Sequence, residues 1–494
     1  MFQTILIANR GEIAVRVIRT CREMGIRTIA VYSETDREAL HRLEADQAVF
    51  IGPSEPLRSY LNMDKIIEAA KSSGAQAIHP GYGFLSENPE FADRCLAAGI
   101  VFIGPPAQAI RDMGDKLTAR RIMIDAGVPV VPGLSGSNFT LAEMLETALE
   151  VGYPVLIKAS AGGGGKGIRI VRSQEEMQPA LESASREALN AFGDGRVYLE
   201  KFFTRARHIE FQILADQGGR TIHLLERECS VQRRQQKIIE ETPSLAVSPG
   251  LRAKMGEAAC AAARAAGYVN AGTVEFLLDE AGRYYFMEMN TRLQVEHPVT
   301  ELVTGIDLVR QQILIAAGVP LTLSQEDIAA RGHAIECRIY AEDPENGFLP
   351  SPGRITCYQE PAGPGVRNDS GIHAASVVPV EYDPILSKLS VHAETRDQAI
   401  ARMIRALKSY VVMGVRTPVD FLAQVVDSGA FRAGDVFTDF IDTHFSAWRP
   451  GGDKADLACL AYIADELCAK TALDVGAPGE RIRSPFQTLG RWTL

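Results

Sequence analysis

The sequence contains eight cysteines but no CxxC pair. They are scattered, so neither a zinc ribbon nor the disulfide framework of a small secreted domain is expected, and a reducing, cytoplasmic setting fits best. No apolar run approaches the roughly 20 residues that span a bilayer, so no membrane segment is expected. No basic stretch and long apolar run precede the strand-like Thr4–Ala8. A signal peptide is therefore not expected, although an imported chain stripped of its presequence would read the same way. Positive charge is not in surplus: 52 Lys+Arg stand against 62 Asp+Glu, a net charge of −10. That argues against a general nucleic-acid binder, while a local run such as Gln232-Arg233-Arg234 remains able to hold a small anion. There is no internal repeat and no low-complexity tract. Two common phosphate fingerprints are missing as well. The turn Asn9-Arg10-Gly11-Glu12 has a strand–loop–helix setting but no GxGxxG, and the glycine run at 162–165 lacks the spacing and terminal Ser/Thr of a Walker A loop.

What is present is the composition of an ordinary globular enzyme, 46% hydrophobic and 23% charged over 494 residues, enough for about three domains. Ile5–Ala8 reads as a buried strand. Glu12–Met24 reads as an amphipathic helix closed by Gly25, with Ile13, Val17 and Cys21 on one face and Arg16, Arg19 and Glu23 on another. Thr28–Tyr32, Ala77-Ile78 and Val101–Ile103 continue a βαβ rhythm, which predicts a parallel sheet with helices on both faces. The first domain is expected to end near residue 113. Helices are predicted at Asp115–Ala126, Arg396–Ser409 and Lys454–Lys470. Val274–Leu278 and Tyr284–Met287 read as hairpin partners across Asp279–Arg283.

Three stretches carry chemistry. Gly162–Gly165, beside Lys158 and Lys166, would let backbone N–H groups approach a phosphate closely; a flexible surface turn is the plainer alternative. Lys116 and Lys158 are the natural point charges for such an anion. Val197–Phe203 could wall a purine, or be simply a strand. Glu275 and Glu288 each interrupt an apolar strand, and the hairpin would set them side by side. Facing carboxylates repel, which a divalent cation resolves, with Asn290 adding a third oxygen. Two solvated glutamates on an amphipathic sheet are the alternative. Just beyond, Arg292 is suited to clamp a planar anion, Glu296 to take a proton, and Gln294 with the Val295 backbone to position an oxyanion. Arg338 lies in a further strand-like stretch. Ordinary salt bridges would account for each of these charges taken singly.

Taken together, these segments resemble biotin carboxylase, the ATP-grasp component of biotin-dependent carboxylases, over about residues 2–445. The resemblance is carried by ILIANRGEIAVRVIR from Ile5, AIHPGYGFLSEN from Ala77, MGDK ending at Lys116, KASAGGGGKG from Lys158 and RHIEFQIL from Arg207. It continues in ERECSVQRRQQKIIEE from Glu226, EMNTRLQVEHPVTE from Glu288 and ECRIYAEDP from Glu336. It implies an α/β architecture: an N-terminal Rossmann-like parallel-sheet domain at 1–113, an ATP-grasp domain at 114–331 with a mobile glycine-rich lid at about 131–203, and a C-terminal α+β domain at 332–445. Residues 446–494 form an extension. It also implies the reaction: ATP phosphorylates bicarbonate, and the resulting carboxyphosphate delivers CO₂ to N1′ of biotin on a carrier. By matching positions, Lys116, Lys158, Gly163, Gly164, Gly165, Glu200, His208, Gln232 and Gln235 would bind ATP, with Lys201 and Phe203 at the adenine. Glu275, Glu288 and Asn290 would hold Mg²⁺ or Mn²⁺. Lys237, Arg292, Gln294 and Val295 would hold bicarbonate, and Glu296 would deprotonate it. Arg338 would stabilise the enolate-like biotin, with Tyr82 near the ureido ring.

Gln235 stands where many relatives carry His or Asn near the ribose, so altered nucleotide affinity is expected. No AMKM-type biotinyl-lysine motif or carboxyltransferase region is visible. The biotin would therefore ride on a separate carrier protein, with carboxyltransferase subunits as further partners, unless the chain is part of a longer α chain. Its tail SPFQTLGRW resembles the point where such chains continue. The resemblance implies a homodimer through Arg19 and Glu23, and a place in acetyl-CoA or another acyl-CoA carboxylase, with fatty acid synthesis as the setting. A subunit of a split pyruvate carboxylase, a carbamoyl-phosphate synthetase-like ATP-grasp ligase, and a non-catalytic scaffold are the other readings.

Overall fold

The computed structural model describes residues 1–134, 139–160, 168–450 and 462–463. Two compact units are distinguished, Met1–Ala447 and Trp448–Leu494, and all the elements below belong to the first. The glycine run 162–165 lies outside the described residues, as does the helix expected at 454–470 except for residues 462–463.

The first sheet holds β1 (Thr4–Ile7), β2 (Arg27–Ser33), β3 (Gln47–Gly52), β4 (Ala77–His79) and β5 (Val101–Phe102), all parallel in the order β3-β2-β1-β4-β5. Its middle strands are continuous apolar runs, as burial on both faces demands. The Asn9 amide, just past β1, donates to Pro80 O and Tyr82 O, both at 2.7 Å. Gly81 between those acceptors has φ +64°, and a Cβ there would lie 2.8 Å from Asn9 Nδ2, so only glycine fits this close turn.

The helix Gly11–Glu23 corrects one expectation. Arg16 does not share a solvated face with Arg19 and Glu23. It is buried, and its guanidinium lies 2.9 Å from both Glu301 and Asp307. Periodicity places a residue on a helix face but cannot tell whether that face meets water or another charged element.

Next, β6 (Val155–Ala159), β7 (Arg169–Val171) and β8 (Val197–Lys201) form a small antiparallel sheet in the order β7-β6-β8. The helices Leu141–Val151 and Met177–Phe192 supply Met144, Ala148 and Ala184 to its core. The first of these starts with a Thr140–Glu143 capping box.

The largest sheet has eight antiparallel strands. They are β9 (Ala206–Ala215), β10 (Thr221–Arg233), β11 (Gln236–Thr242), β12 (Asn270–Asp279), β13 (Tyr284–Asn290), β14 (His333–Tyr340), β15 (Val366–Ser370) and β16 (Ile385–Ala393). The order is β13-β12-β9-β10-β11-β14-β16-β15. One side of β9 and β12 packs on the helix Pro249–Ala265 through Phe211, Phe276, Met255 and Ala259. β14 lies beyond the boundary expected at 331, yet it pairs directly with β11, Ile239 opposite Cys337. Residues on both sides of that boundary therefore share one sheet. No helix among the described residues is long and apolar enough to cross a membrane.

Candidate active site

The predicted hairpin is present. β12 and β13 pair antiparallel with Glu275 opposite Glu288 and Thr273 opposite Asn290, and the register shifts just after Glu275. Directly opposite residues share a face of the sheet, so the two carboxylates are neighbours. Glu275 is surrounded by donors: Lys237 Nζ at 2.8 Å, His208 Nε2 at 2.8 Å, Asn290 Nδ2 at 2.8 Å and Gln294 Nε2 at 3.0 Å. Burial pushes its carboxyl up, but Lys237 and His208 pull it well below the usual range. Glu288 moves the other way, raised by burial and by Glu275, with Lys116 only partly compensating.

Lys237, near the start of β11, is the hub. Its ammonium lies 2.5 Å from Glu210, 2.8 Å from Glu275 and 2.8 Å from Glu296. Burial alone would favour a neutral amine, yet the three glutamates hold it firmly charged. His208, Glu210 and Glu275 bring potential metal ligands within 4.8 Å of one another. Lys237 bonds two of the three and so offsets part of their negative charge.

Glu296 starts the helix His297–Thr304 and is fully buried. Arg338, from β14, reaches its second oxygen at 3.0 Å and holds Glu240 at 2.6 Å. Lys237, Arg338 and Arg227 together depress the Glu296 carboxyl well below its ordinary value, against the upward push of burial. Arg292 is half-buried and spreads its guanidinium over Glu87 at 2.8 Å, Asn290 at 2.9 Å and Gln294 at 3.0 Å. His297 Nδ1 lies 2.8 Å from Gln294 O and pins the turn that contains Val295.

The expected nucleotide residues form a second group. Lys158 in β6 lies 2.7 Å from Glu200 in β8, and Arg120 is 3.2 Å from the same carboxylate. Lys116 opens the helix Lys116–Asp125, capped by Asp115, and burial lowers its ammonium pKa. Lys201 donates to the carbonyls of Gly152 and Tyr153, at 2.7 and 3.2 Å. Phe203 stacks on Tyr285 with centroids 5.2 Å apart. Gln232 meets His208 Nδ1 at 2.8 Å. Arg234 and Gln235 take positive φ, 50° and 67°, in the tight turn joining β10 to β11. Tyr82 is beneath Lys388, whose Nζ is 5.8 Å from the ring centroid, and Lys388 is the cross-strand neighbour of Arg338. Gly163, Gly164 and Gly165 lie outside the described residues.

Several participants were not singled out from sequence. Glu210 and Arg227 are fully buried and paired at 2.5 Å, and Arg227 also donates to Gln212 and Thr300 at 2.8 and 2.9 Å. Their signal was available, a charge inside each of two apolar strands, but such a charge says nothing of its partner. Glu87, in a loop after β4, lies within the AIHPGYGFLSEN motif, but no charge pattern there singles it out.

Three family models match in succession: the N-terminal domain of biotin carboxylase over residues 1–110, the ATP-binding domain of the carbamoyl-phosphate synthase L chain over 115–324, and the C-terminal domain of biotin carboxylase over 336–443. The biotin carboxylase of Nostoc sp. is 55% identical over 440 residues, 89% of this chain and 98% of that one. The α subunit of rat mitochondrial methylcrotonoyl-CoA carboxylase is 54% identical over 484 residues, 98% of this chain and 67% of its own length. Among solved structures, the biotin carboxylase domain dimer of the Hydrogenobacter thermophilus 2-oxoglutarate carboxylase, with MgADP, ADP and bicarbonate, superposes with a TM-score of 0.88. It is 48% identical, covering 92% of this chain and 100% of that one. Fold and site thus define an ATP-grasp enzyme, a ligase that spends ATP on carboxylation. The chain belongs to the biotin carboxylase family.

Proposed function

We propose that this chain carboxylates biotin on a separate carrier protein, using ATP and bicarbonate, as the biotin carboxylase component of an acyl-CoA carboxylase. The observation that carries the reading is the Lys237–Glu296–Arg338 triad beside Arg292: one buried carboxylate held between two cations, next to a guanidinium with a polar fork. Such a cluster is built to receive a small anion and remove its proton.

Glu288, raised by burial beside Glu275, and the nearby Asn290 fit a divalent cation, which would relieve the repulsion between the carboxylates. Glu275, Glu288 and Asn290 would hold Mg²⁺ or Mn²⁺, which when bound neutralises charge on the ATP phosphates. Lys116 and Lys158 take the phosphate oxygens, Lys158 leaving Glu200 or sharing it. Glu200, Lys201, Phe203, His208, Gln232 and Gln235 bind the rest of the nucleotide, and glycines 163–165 cover its phosphates. Arg292, Gln294, the Val295 backbone and Lys237 hold bicarbonate. Glu296, so strongly depressed, is a weak base while it grips both cations. When the incoming anion draws Lys237 and Arg338 toward itself, Glu296 regains basicity beside the proton it must take. The bicarbonate oxygen then attacks the γ-phosphorus, ADP leaves, and the carboxyphosphate breaks down to phosphate and CO₂; the phosphate takes the N1′ proton of biotin, and the nitrogen attacks the CO₂. Arg338 stabilises the ureido oxyanion, with Tyr82 beside it.

The acyl-CoA assignment rests on extent of similarity. The match with the methylcrotonoyl-CoA carboxylase α subunit runs through 98% of this chain, whereas that with the Nostoc enzyme stops at 89%. Acetyl-CoA is one acceptor of this class. The partners are then a biotin carboxyl carrier and carboxyltransferase subunits. A homodimer through the outer face of Gly11–Glu23 is part of the proposal: Glu23 is exposed and Arg19 half-exposed, and the Hydrogenobacter relative is a dimer. Six free thiols among the described residues support a reducing, cytoplasmic setting. The test is ATP hydrolysis by the purified chain: it should require bicarbonate and rise with free biotin, and hydrolysis indifferent to biotin would refute the proposal.

A further inference from the structure

Behind Arg338 is a pair of carboxyls to which the reaction as described gives no task. Glu240 in β11 is directly opposite Glu336 in β14, which in turn is opposite Ser390 in β16. Arg338 is opposite Lys388 two residues along, so all five side chains share one face of the sheet. Glu240, Glu336, Lys388 and Ser390 are fully buried. Opposed residues on a sheet carry their Cβ atoms about 4.5–5.5 Å apart, which brings two glutamate carboxyls within reach of each other. Each has one oxygen bonded: Glu240 Oε1 accepts from Arg338 Nε at 2.6 Å, and Glu336 Oε2 accepts from Ser390 Oγ at 2.6 Å. The remaining two, Glu240 Oε2 and Glu336 Oε1, are buried and meet no donor.

The surrounding charges do not supply one. Lys388 is the main cation acting on Glu336, but its Nζ bonds neither open oxygen; it lies 3.0 Å from Glu12, on the helix packed over this face, with Asp369 of β15 close by. Lys237, three residues before Glu240 on the same strand, is bonded to Glu210, Glu275 and Glu296. Glu296 adds a further negative charge near Glu240. Two adjacent carboxylates, each with an unpartnered buried oxygen, would be costly. One proton between them gives both oxygens a partner.

We propose that Glu240 and Glu336 share a single proton between these two oxygens, and that the pair is a positioning group setting how much of the Arg338 charge is left for an anionic ligand. With the proton in place the pair carries one negative charge behind the guanidinium. Without it the pair carries two, and Arg338 is a poorer partner for the biotin oxyanion. Burial pushes both carboxyls up, Glu240 to about 7 and Glu336 well above the usual carboxylate range, which keeps the shared proton at neutral pH and releases it under alkaline conditions. The functional half rests on the role proposed above for Arg338; the shared proton does not.

Infrared difference spectra of the full chain in H₂O and D₂O test the proton directly. A protonated-carboxyl band should persist in the wild type above pH 6 and be diminished in both Glu336→Gln and Glu240→Gln. The kcat/KM for free biotin, followed from pH 6 to 9, tests the consequence. It should fall with rising pH in the wild type and fall at least threefold less in Glu336→Gln, with the KM for ATP unchanged. An identical band in all three proteins, or kcat/KM profiles for biotin that superimpose, would overturn the proposal. If neither variant folds, Glu336→Asp and Glu240→Asp take their place, because Glu228 and Glu12 are also raised to about 7 and give the wild type bands of their own: a band shifted in both supports the proposal, and a band unshifted in both overturns it. A wild type with no biotin-dependent turnover would instead refute the proposed function.

Discussion

Lys237 and Arg338 hold opposite oxygens of one carboxylate, with Nζ 2.8 Å from Glu296 Oε1 and the guanidinium 3.0 Å from Oε2. That grip keeps Glu296 ionised and ties its basicity to arrival of an anion. Glu296→Gln keeps the shape and removes the base. It should lower kcat for biotin carboxylation on the order of 10²- to 10⁴-fold, with nucleotide affinity unchanged in a fluorescent-ATP titration. Full activity in that variant would refute the assigned base.

The opposition of Glu275 and Glu288 makes the metal assignment testable by titration. Glu288→Gln removes one ligand and the repulsion with it. The Mg²⁺ concentration giving half-maximal ATP hydrolysis should rise at least about tenfold, the scale of a damaged metal site. An unchanged Mg²⁺ requirement would move the metal elsewhere.

Arg227 is fully buried and donates to Glu210, Gln212, Thr273 and Thr300. Arg227→Ala leaves Glu210 with Lys237 and the more distant His208 and should destabilise the fold by about 3–5 kcal/mol in urea denaturation. Arg227→Lys should recover only part of this, because a point charge cannot replace a planar fork of donors.

Away from these groups, burial raises the Glu228 carboxyl from the ordinary 4.5 to about 7, opposed by Arg207, Ser230 and Ser244. A raised carboxyl contributes stability that is full below 4.5 and is lost as pH climbs through 7. Glu228→Gln has no such loss. Its stability relative to wild type should therefore improve by up to about 3 kcal/mol between pH 4.5 and 7, at 1.36 kcal/mol per pKa unit. A constant gap across that window would contradict the raised value.

Much of this was legible in the sequence because it is local. The βαβ rhythm gave the parallel sheet, and the short turn Asp279–Arg283 between two apolar runs gave the Glu275–Glu288 pairing. The long-range partners were not legible. Arg16 reads as a solvated helix residue until Glu301, far along the chain, is folded against it. Lys237 reads as one lysine among several until three strands and a helix start bring Glu210, Glu275 and Glu296 around it. Periodicity reports which way a side chain points, and only the folded chain reports what it meets. Resemblance to a family could name Lys237 and Arg338, but not the carboxyl pair Glu240–Glu336 behind them.

Transfer of label from bicarbonate to biotin reads the proposed reaction itself. The purified chain is incubated with ATP, Mg²⁺, free biotin and labelled bicarbonate, and acid-labile label in carboxybiotin is counted. ATP-dependent label should accumulate in the wild type and be absent in Glu296→Gln. ATP hydrolysis without any label on biotin would refute biotin carboxylation by this chain, and equal labelling in the two proteins would refute Glu296 as its base.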